Sequence, residues 1–275
     1  MPRIKVDERK IYVEEYGRGN TRAIVFFHGG PGAGCAGFAD QARALGKKYH
    51  VVLFDQFGAM RAGAIAKEEP FGMMEHVRLI DRMREVLGIH SWAVLGHSYG
   101  GMLACLYAHT YSERTDAAIY ECTSWDLGLF SQAMASHFLP YFQEIHSEEG
   151  LQSCGRILGG DPADRAQLHD ELRSVLMPLV KAPRNVGHKT AVHCRKLREA
   201  GEVYRCFLPY LDEIDRPSLL LLGKHDPTCG AYERDYFLRH APKGAIIEFQ
   251  NSGHFPHLEE PDAYTEAIMT FLDGI

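Results

Sequence analysis

The fold is decided by the stretch Trp92-Ala93-Val94-Leu95-Gly96-His97-Ser98-Tyr99-Gly100, which runs directly into the apolar residues 101–111. Four apolar residues, a serine between two glycines and a helical pattern predict a strand, a sharp turn and a helix. A serine hydroxyl is a weak nucleophile at neutral pH and must be presented to a base. The tight backbone of such a turn leaves no room for side chains at Gly96 and Gly100. We therefore interpret Ser98 as a catalytic nucleophile, against the alternative of a glycine-rich turn with an unused serine.

Short, continuous apolar runs recur on both sides of this turn, and they suit parallel strands that are buried on both faces. These runs lie at residues 23–27, 51–54, 117–120, 219–222 and 245–249. An alternating run at 10–16 predicts an antiparallel edge strand, and residues 71–87 predict an amphipathic helix that ends at Gly88. Pro261 opens a final helix. The alternation predicts an α/β fold, with a mainly parallel sheet of about eight strands flanked by helices.

Residues 123–216 break this alternation, because they are helical in character and contain no further strand-like run. We expect a mostly helical cap domain at residues 124–216, inserted after the strand at 117–120. Open α/β sheets bind ligands at their carboxyl edge, so the cap should cover that edge. Residues 1–123 and 217–275 should together form the core domain.

Bulk composition excludes several classes of protein. The chain has 275 residues, of which 45% are hydrophobic and 24% charged, as in an ordinary globular protein. A net charge of −6 argues against a nucleic-acid partner, and no apolar run approaches the roughly 18 residues of a membrane span. The first residues lack the apolar segment of a signal peptide, so we expect a cytoplasmic protein with no membrane partner.

The seven cysteines are an odd number, scattered without the spacing of a zinc site or a disulfide framework. We therefore expect reduced thiols, no metal and no organic cofactor. The expected partner is a small-molecule or short-peptide substrate, and the oligomeric state is left open.

A serine nucleophile needs a base, and the base needs an orienting carboxylate. His254 lies in the loop after the last predicted strand, so we expect it to be the base, with His257 as the second choice. Asp226 follows the strand at 219–222 and fits the order Ser, Asp, His. Asp126, after the strand at 117–120, is the alternative acid, and Asp226 could instead be only a turn former before proline.

The second requirement is a pair of donors for the oxyanion. The loop His28-Gly29-Gly30-Pro31-Gly32 follows the strand at 23–27, and its glycines let the backbone approach a ligand closely. We expect the N–H groups of Gly30 and Tyr99 to form the oxyanion hole. The alternative is a flexible surface turn.

These residues resemble the α/β-hydrolases over essentially the whole chain. The HGGPG loop, followed by Asp55-Gln56, is similar to the proline iminopeptidase branch. That resemblance implies a triad of Ser98, Asp226 and His254, and release of N-terminal residues from short peptides. It also implies cap glutamates that bind the substrate α-amine. The chain departs from the branch at Phe57-Gly58-Ala59-Met60-Arg61 and in carrying His97, where the branch more often has glycine.

Three readings of the substrate stay open. An aminopeptidase needs acidic residues in the cap, for which the candidates are Glu144, Glu148, Glu149 and Glu171. A carboxylesterase or lactonase needs mainly an apolar pocket. Its candidate lining is Phe130, Met134, Phe138, Leu139, Tyr141, Phe142 and Met177. The basic stretch 181–205 would suit an ester or amide that carries a carboxylate. From a different class, a non-catalytic ligand receptor could retain the same triad.

Overall fold

The computed structural model describes residues 3–66, 68–175, 187–241 and 243–275. In these ranges eight strands form one sheet in the order β1-β2-β4-β3-β5-β6-β7-β8. The strands are β1 (Arg3–Val6), β2 (Arg9–Tyr16), β3 (Ala23–Phe27), β4 (His50–Phe54), β5 (Trp92–His97), β6 (Thr115–Glu121), β7 (Ser218–Gly223) and β8 (Ala245–Phe249).

The α-helices of the described ranges alternate with these strands, except in one insertion between β6 and β7. They are α1 (Ala39–Leu45), α2 (Met73–Val86), α3 (Tyr99–Thr110), α4 (Leu127–Glu144), α5 (Glu148–Gly159), α6 (Arg165–Val175), α7 (His188–Ala200), α8 (Tyr210–Glu213), α9 (Ala231–His240), α10 (Pro256–Glu259) and α11 (Pro261–Asp273).

Strand pairing confirms the predicted mainly parallel sheet. β1 pairs with β2, and β2 with β4, in antiparallel register, and every other pairing in the sheet is parallel. β1 was not expected from the sequence, although its residues alternate between polar and apolar and Val6 is buried in the core. It lies outside β2, so the prediction that the strand at 10–16 is the edge strand was wrong. The helix ends agree with their signals: Gly88 follows α2 with φ +70°, and Pro261 is the first residue of α11.

The two faces of the sheet are buried by alternate residues of the same strands. In β3, Val25 and Phe27 join one apolar cluster, whereas Ile24 and Phe26 join the other. Successive side chains of a strand point to opposite faces, so a run of apolar residues is what a strand covered on both sides requires. The carboxyl ends of the central strands are thereby held rigidly, and the loops that follow them start from fixed positions.

The insertion between β6 and β7 is helical wherever it is described, from α4 to α8. Its first three helices share an apolar cluster of their own, which includes Met134, Phe142 and Leu172. The division into a core and a cap domain stays a prediction. Within the described ranges, no helix combines the length and apolarity that crossing a membrane would take.

Asp55, directly after β4, anchors the loop that follows. Its Oδ1 accepts the N–H of Cys35 and an Arg61 Nη2 hydrogen, both at 2.9 Å. Its Oδ2 accepts the Arg61 backbone N–H at 3.0 Å and Nε–H at 2.7 Å. Burial acts to raise the pKa of Asp55, but these hydrogen bonds outweigh it and lower the pKa to about 2.

Replacing Asp55 with asparagine should therefore lower the free energy of unfolding at pH 7 by about 2 to 4 kcal/mol. The folded-state pKa lies below the ordinary value of 3.8, so this stabilisation is present above about pH 4 and is lost as the pH falls toward 2. Urea unfolding of wild type and variant, followed down this pH range, measures both effects. Asp40, which is exposed, supplies the control Asp40→Asn with little change in stability.

Candidate active site

Ser98 occupies a sharp turn between β5 and α3, with φ 53° and ψ −122°. A side chain on Gly96 would overlap the carbonyl oxygen of Gly100, and one on Gly100 would overlap that of Phe27. The turn therefore requires both glycines. The Ser98 N–H donates to the Glu121 carbonyl at 2.8 Å, and Ser98 remains partly exposed. A positive φ costs conformational free energy in a residue with a Cβ, and such residues are concentrated at functional sites.

Asp226 and His254 meet at the carboxyl edge of the sheet, after β7 and β8 respectively. His254 Nδ1 lies 3.1 Å from Asp226 Oδ2. Thr228 donates its hydroxyl to the same oxygen at 2.7 Å and its N–H to Oδ1 at 3.1 Å. Burial acts to raise the pKa of Asp226, but the hydrogen bond and charge of His254, with Thr228 and Cys122, lower it overall. An ionised Asp226 accepts only, so Nδ1 carries the hydrogen and Nε2 is left as a base.

The turn at Ser98 and the loop at His254 are tied together by the residue before the serine. His97 Nε2 donates to the backbone carbonyl of His254 at 2.9 Å, and the two imidazole centroids are 4.8 Å apart. The structure thus brings together the segments of Ser98, Asp226 and His254, as the sequence predicts, although 156 residues separate the first from the last.

The glycine loop after β3 lies against the same turn. A Cβ on Gly29 would stand 3.1 Å from Ser98 Cβ, so only glycine allows this approach. Gly30 adopts φ +121°, and Tyr99 is the first residue of α3. The first N–H groups of a helix have no partner within it, and the helix dipole favours negative charge there. The arrangement suits an oxyanion site, a role that stays a prediction for Gly30 and Tyr99.

His28 supports this loop through hydrogen bonds. The Gln56 N–H donates to His28 Nε2 at 3.0 Å and the Gly34 N–H to His28 Nδ1 at 3.2 Å, and Nδ1 also lies 3.0 Å from the Gly29 carbonyl. Burial lowers the pKa of His28 to about 4, so the ring is neutral at neutral pH. Its contacts make it a structural support of the loop.

The two alternative residues have other partners. Asp126 accepts the N–H groups of Gly128 and Leu129 at the start of α4, and its Oδ2 lies 2.6 Å from Arg165 Nε. His257 is buried, and its Nδ1 lies 2.6 Å from Glu121 Oε1. Neither side chain contacts Asp226 or His254 through a hydrogen bond in the described ranges. The geometry therefore favours Asp226 and His254.

The four candidate glutamates lie on helices α4, α5 and α6, and a role for them in binding substrate stays a prediction. Glu144, Glu148 and Glu149 are exposed at the end of α4 and the start of α5. At 1.5 Å per residue, Glu144 lies roughly 25 Å along α4 from its first turn. Glu171 pairs with Arg156 Nη2 at 2.5 Å and also accepts from a serine hydroxyl.

The apolar candidates lie mainly in the interior of the insertion, and a role for them in binding substrate stays a prediction. Met134 is buried in the apolar cluster of the insertion, and Phe138 packs against it, so both build the interior of the insertion. Phe130, Leu139 and Phe142 belong to the same packing, whereas Tyr141 is exposed. Met177 and the start of the basic stretch, residues 181–186, lie outside the described residues.

Helix α7 of the insertion contacts the loops that follow β3 and β4 directly. His193 Nδ1 donates to the Phe57 carbonyl at 2.6 Å, and Cys194 Sγ lies 3.4 Å from the Pro31 carbonyl. Lys189 donates to the Ala62 carbonyl at 2.5 Å. Sequence reasoning missed these residues, as it missed Thr228 and Glu121, because their partners lie far away along the chain. Only Thr228 had a local signal, since a threonine two residues after an aspartate can bond its carboxylate.

Two side-chain groups among the described residues have the composition of metal ligands. They are His97 with Glu121 and His257, and Cys122 with Asp226 and His254, each with its ligand atoms within 4.8 Å of one another. Their carboxylates and ring nitrogens already form the hydrogen bonds given above. The absence of a metal and of a cofactor stays a prediction.

Comparison with known proteins identifies the fold and a group of relatives. A family model described as "alpha/beta hydrolase fold" matches residues 22–261. The proline iminopeptidase of Xylella fastidiosa (strain 9a5c) is 37% identical over 140 residues, which are 49% of this chain and 44% of that protein. The chain thus matches less than half the length of this relative. The proline iminopeptidase of Heyndrickxia coagulans is 24% identical over 94% of this chain and 92% of its own.

Among solved structures, the enol-lactonase from Burkholderia xenovorans LB400 has a similar fold, with a TM-score of 0.68 and 17% identity. The superposition covers 99% of this chain and 100% of the lactonase.

Proposed function

The chain belongs to the α/β-hydrolase fold family, and within it we propose a serine hydrolase that uses Ser98 as nucleophile, His254 as base and Asp226 as orienting acid. The observation that carries this proposal is the hydrogen bond of 3.1 Å between His254 and Asp226, beside a serine held at φ 53°. A buried carboxylate on Nδ1 leaves Nε2 to act on the serine hydroxyl, which is the division of roles that acyl transfer needs.

The reaction follows from these roles. His254 Nε2 takes the proton of the Ser98 hydroxyl as the serine oxygen attacks the substrate carbonyl carbon. The resulting imidazolium is stabilised by Asp226 and gives its proton to the leaving group as the carbonyl–leaving-group bond breaks. Water then attacks the acyl-enzyme by the same route, releasing the acid and restoring the Ser98 hydroxyl.

The negative charge on the carbonyl oxygen needs donors that are already in place. We propose the N–H groups of Gly30 and Tyr99, since one lies on the glycine loop beside Ser98 and the other begins α3. Removing one such donor typically raises the activation free energy by about 3 kcal/mol. Because the loop is braced by His28, these donors need no rearrangement when charge develops.

Covalent labelling tests the serine-hydrolase proposal. A fluorophosphonate should modify the protein at one serine, and peptide mapping should place the label on Ser98. Folded protein that takes up no label would overturn the proposal and favour the non-catalytic receptor. The test needs no knowledge of the substrate.

For the substrate, we propose an N-terminal residue of a short peptide or an amino-acid amide, as for a proline iminopeptidase. The supporting observations are the relatives of that name and a cavity with an acidic lining. A cavity of about 440 Å³ lies between the start of α2 and the end of α7. It is lined by three carboxylates, Glu69, Glu75 and Glu202, against one guanidinium, Arg9.

Glu202 is the best placed of these acids to bind an α-amine. Arg9 pairs with Glu69 and Glu75, which offsets their charge. Glu202 Oε2 accepts the Met74 N–H at 3.0 Å, so Oε1 is left for another donor. Burial raises the pKa of the Tyr99 phenol, and the charges of Cys194 and Glu202 raise it further.

Glu202→Gln should lower kcat/KM for amino-acid arylamides by about 10- to 100-fold, because a charge-assisted hydrogen bond to the ammonium group is lost. Turnover of p-nitrophenyl acetate, which has no amine, should change less than about threefold. Glu144→Gln is the matched control, since that exposed side chain should leave both activities unchanged. Equal losses on both substrates would contradict an ammonium-binding role.

An ester or lactone substrate is the second candidate, favoured by the similarity in fold to the enol-lactonase. Comparing wild-type turnover of amino-acid arylamides with that of short acyl p-nitrophenyl esters and lactones separates the two. The peptidase proposal fails if esters or lactones turn over and no free-amine amide does so between about pH 6 and 9.

A further inference from the structure

A buried network of side chains lies next to the loop that carries His254. His97, Glu121 and His257 are all buried, and their nitrogen and oxygen atoms lie within 4.8 Å of one another. None of them is used in the proposed mechanism. The region contains two carboxylate–imidazole pairs, Asp226 with His254 and Glu121 with His257. The two histidines are three residues apart in the sequence.

Glu121 joins the two catalytic segments through different atoms. Its backbone carbonyl accepts the N–H of Ser98 at 2.8 Å. Its carboxylate accepts from His257 Nδ1 at 2.6 Å and from the Tyr264 hydroxyl at 2.9 Å. Burial acts to raise the pKa of Glu121, but the charges and hydrogen bonds of these neighbours lower it overall, so the carboxylate is ionised. The serine turn and the histidine loop thus share one anchor.

His97 contacts both histidines of this region. Its ring lies 4.8 Å from that of His254 and 5.3 Å from that of His257, by centroids. On the other side, a Cβ on Gly29 would stand 2.7 Å from His97 Nδ1. One side chain therefore contacts the histidine loop and the glycine loop, and it belongs to the serine turn itself.

The hydrogen bond from His97 has a fixed direction. Burial lowers the pKa of His97 to about 4, so the ring is neutral and carries one hydrogen. The His254 carbonyl can only accept, so that hydrogen is on Nε2, 2.9 Å away. A donor is required here, which an apolar residue or glycine cannot supply.

We propose that His97 is a positioning residue: its Nε2–H fixes the His254 backbone, and the buried Glu121–His257 pair holds the serine turn and histidine loop in register around it. This inference rests on the proposed function, because it concerns how the base is aimed at Ser98. A displacement of about 1 Å between reacting groups can lower a rate roughly 100-fold. Loss of this support should therefore lower the reaction rate.

Two amide substitutions at His97 test it. In His97→Gln the amide nitrogen is separated from Cβ by the same number of atoms as Nε2, so it can still donate to the His254 carbonyl. In His97→Asn the amide is one atom shorter and reaches only the Nδ1 position. The readouts are the rate constant for fluorophosphonate labelling, kcat and KM, thermal stability, and the downfield proton resonance of His254 Nδ1–H.

We expect His97→Asn to label, and to turn over substrate, about 10- to 100-fold more slowly with KM within about threefold of wild type. His97→Gln should restore the rate to within about threefold, and the downfield resonance should persist in it but weaken in His97→Asn. Both variants should unfold at similar temperatures. Equal rates in the two variants would overturn the proposal, as would losses that only follow thermal stability.

Labelling of the wild type and of the two variants also tests this inference separately from the proposed function. If wild-type protein is labelled at Ser98 and both variants react at the wild-type rate, only the role of His97 is lost. If the wild type is not labelled, the serine-hydrolase proposal fails. The resonance of His254 then decides the positioning role by itself, since it is measured without turnover.

Discussion

Ser98→Ala is expected to lower kcat by about 10⁴- to 10⁶-fold, the largest effect of any single change in this protein. The variant removes the atom that forms the acyl-enzyme, so the residual rate comes only from substrate binding and the oxyanion donors. The measurement is kcat on the best substrate of the arylamide and ester panel, together with fluorophosphonate labelling, which should disappear.

Stability should be nearly unchanged in this variant, because the Ser98 side chain makes no capping hydrogen bond at the start of α3. Ser124→Ala is the matched control. Its hydroxyl donates to buried Glu233 at 2.8 Å, so its loss should affect stability while labelling at Ser98 persists. A Ser98→Ala protein that retains more than about a tenth of the wild-type rate would exclude Ser98 as the nucleophile.

The sequence was sufficient for the parts of the fold that depend on local pattern. Gly96 is required by its contact with Gly100 in the same turn, whereas Gly100 is required by the approach of Phe27 in β3; the local glycine pattern was nevertheless enough to predict the turn. Continuous apolar runs indicated the buried strands β3, β4 and β7, whereas the run at 245–249 became the partly exposed edge strand β8. Pro261 indicated the start of the last helix. Order along the chain pointed to Asp226 and His254, whose side chains lie 3.1 Å apart.

The parts that sequence reasoning missed depend on distant contacts. β1 has only four residues, and its place in the sheet depends on pairing with β2. The Glu121–His257 pair joins residues 136 positions apart, and nothing local distinguishes that glutamate. The acidic cap residues were chosen by composition, which does not show that Glu144, Glu148 and Glu149 are exposed or that Glu171 pairs with Arg156.

Asp226→Asn is the second substitution with a large expected effect, a fall in kcat of about 10⁴-fold at neutral pH. Asp226 Oδ1 accepts the N–H of Thr228, so the asparagine oxygen should keep that place. The amide nitrogen then replaces Oδ2 and presents a hydrogen to His254 Nδ1. The imidazole then accepts a hydrogen bond at Nδ1 and carries its own hydrogen on Nε2. Nε2 can therefore no longer take the Ser98 proton.

Asp126→Asn is the control that makes this result specific, because Asp126 is the alternative acid that the sequence offered, and it is also buried. Its oxygen can still accept the two N–H groups at the start of α4, but the ion pair with Arg165 is lost. We expect about 1 to 3 kcal/mol less stability and a kcat within about threefold of wild type. Kinetics and urea unfolding of both variants measure this. A large loss of kcat in Asp126→Asn with little in Asp226→Asn would reassign the orienting acid, because one imidazole can be oriented by only one of them.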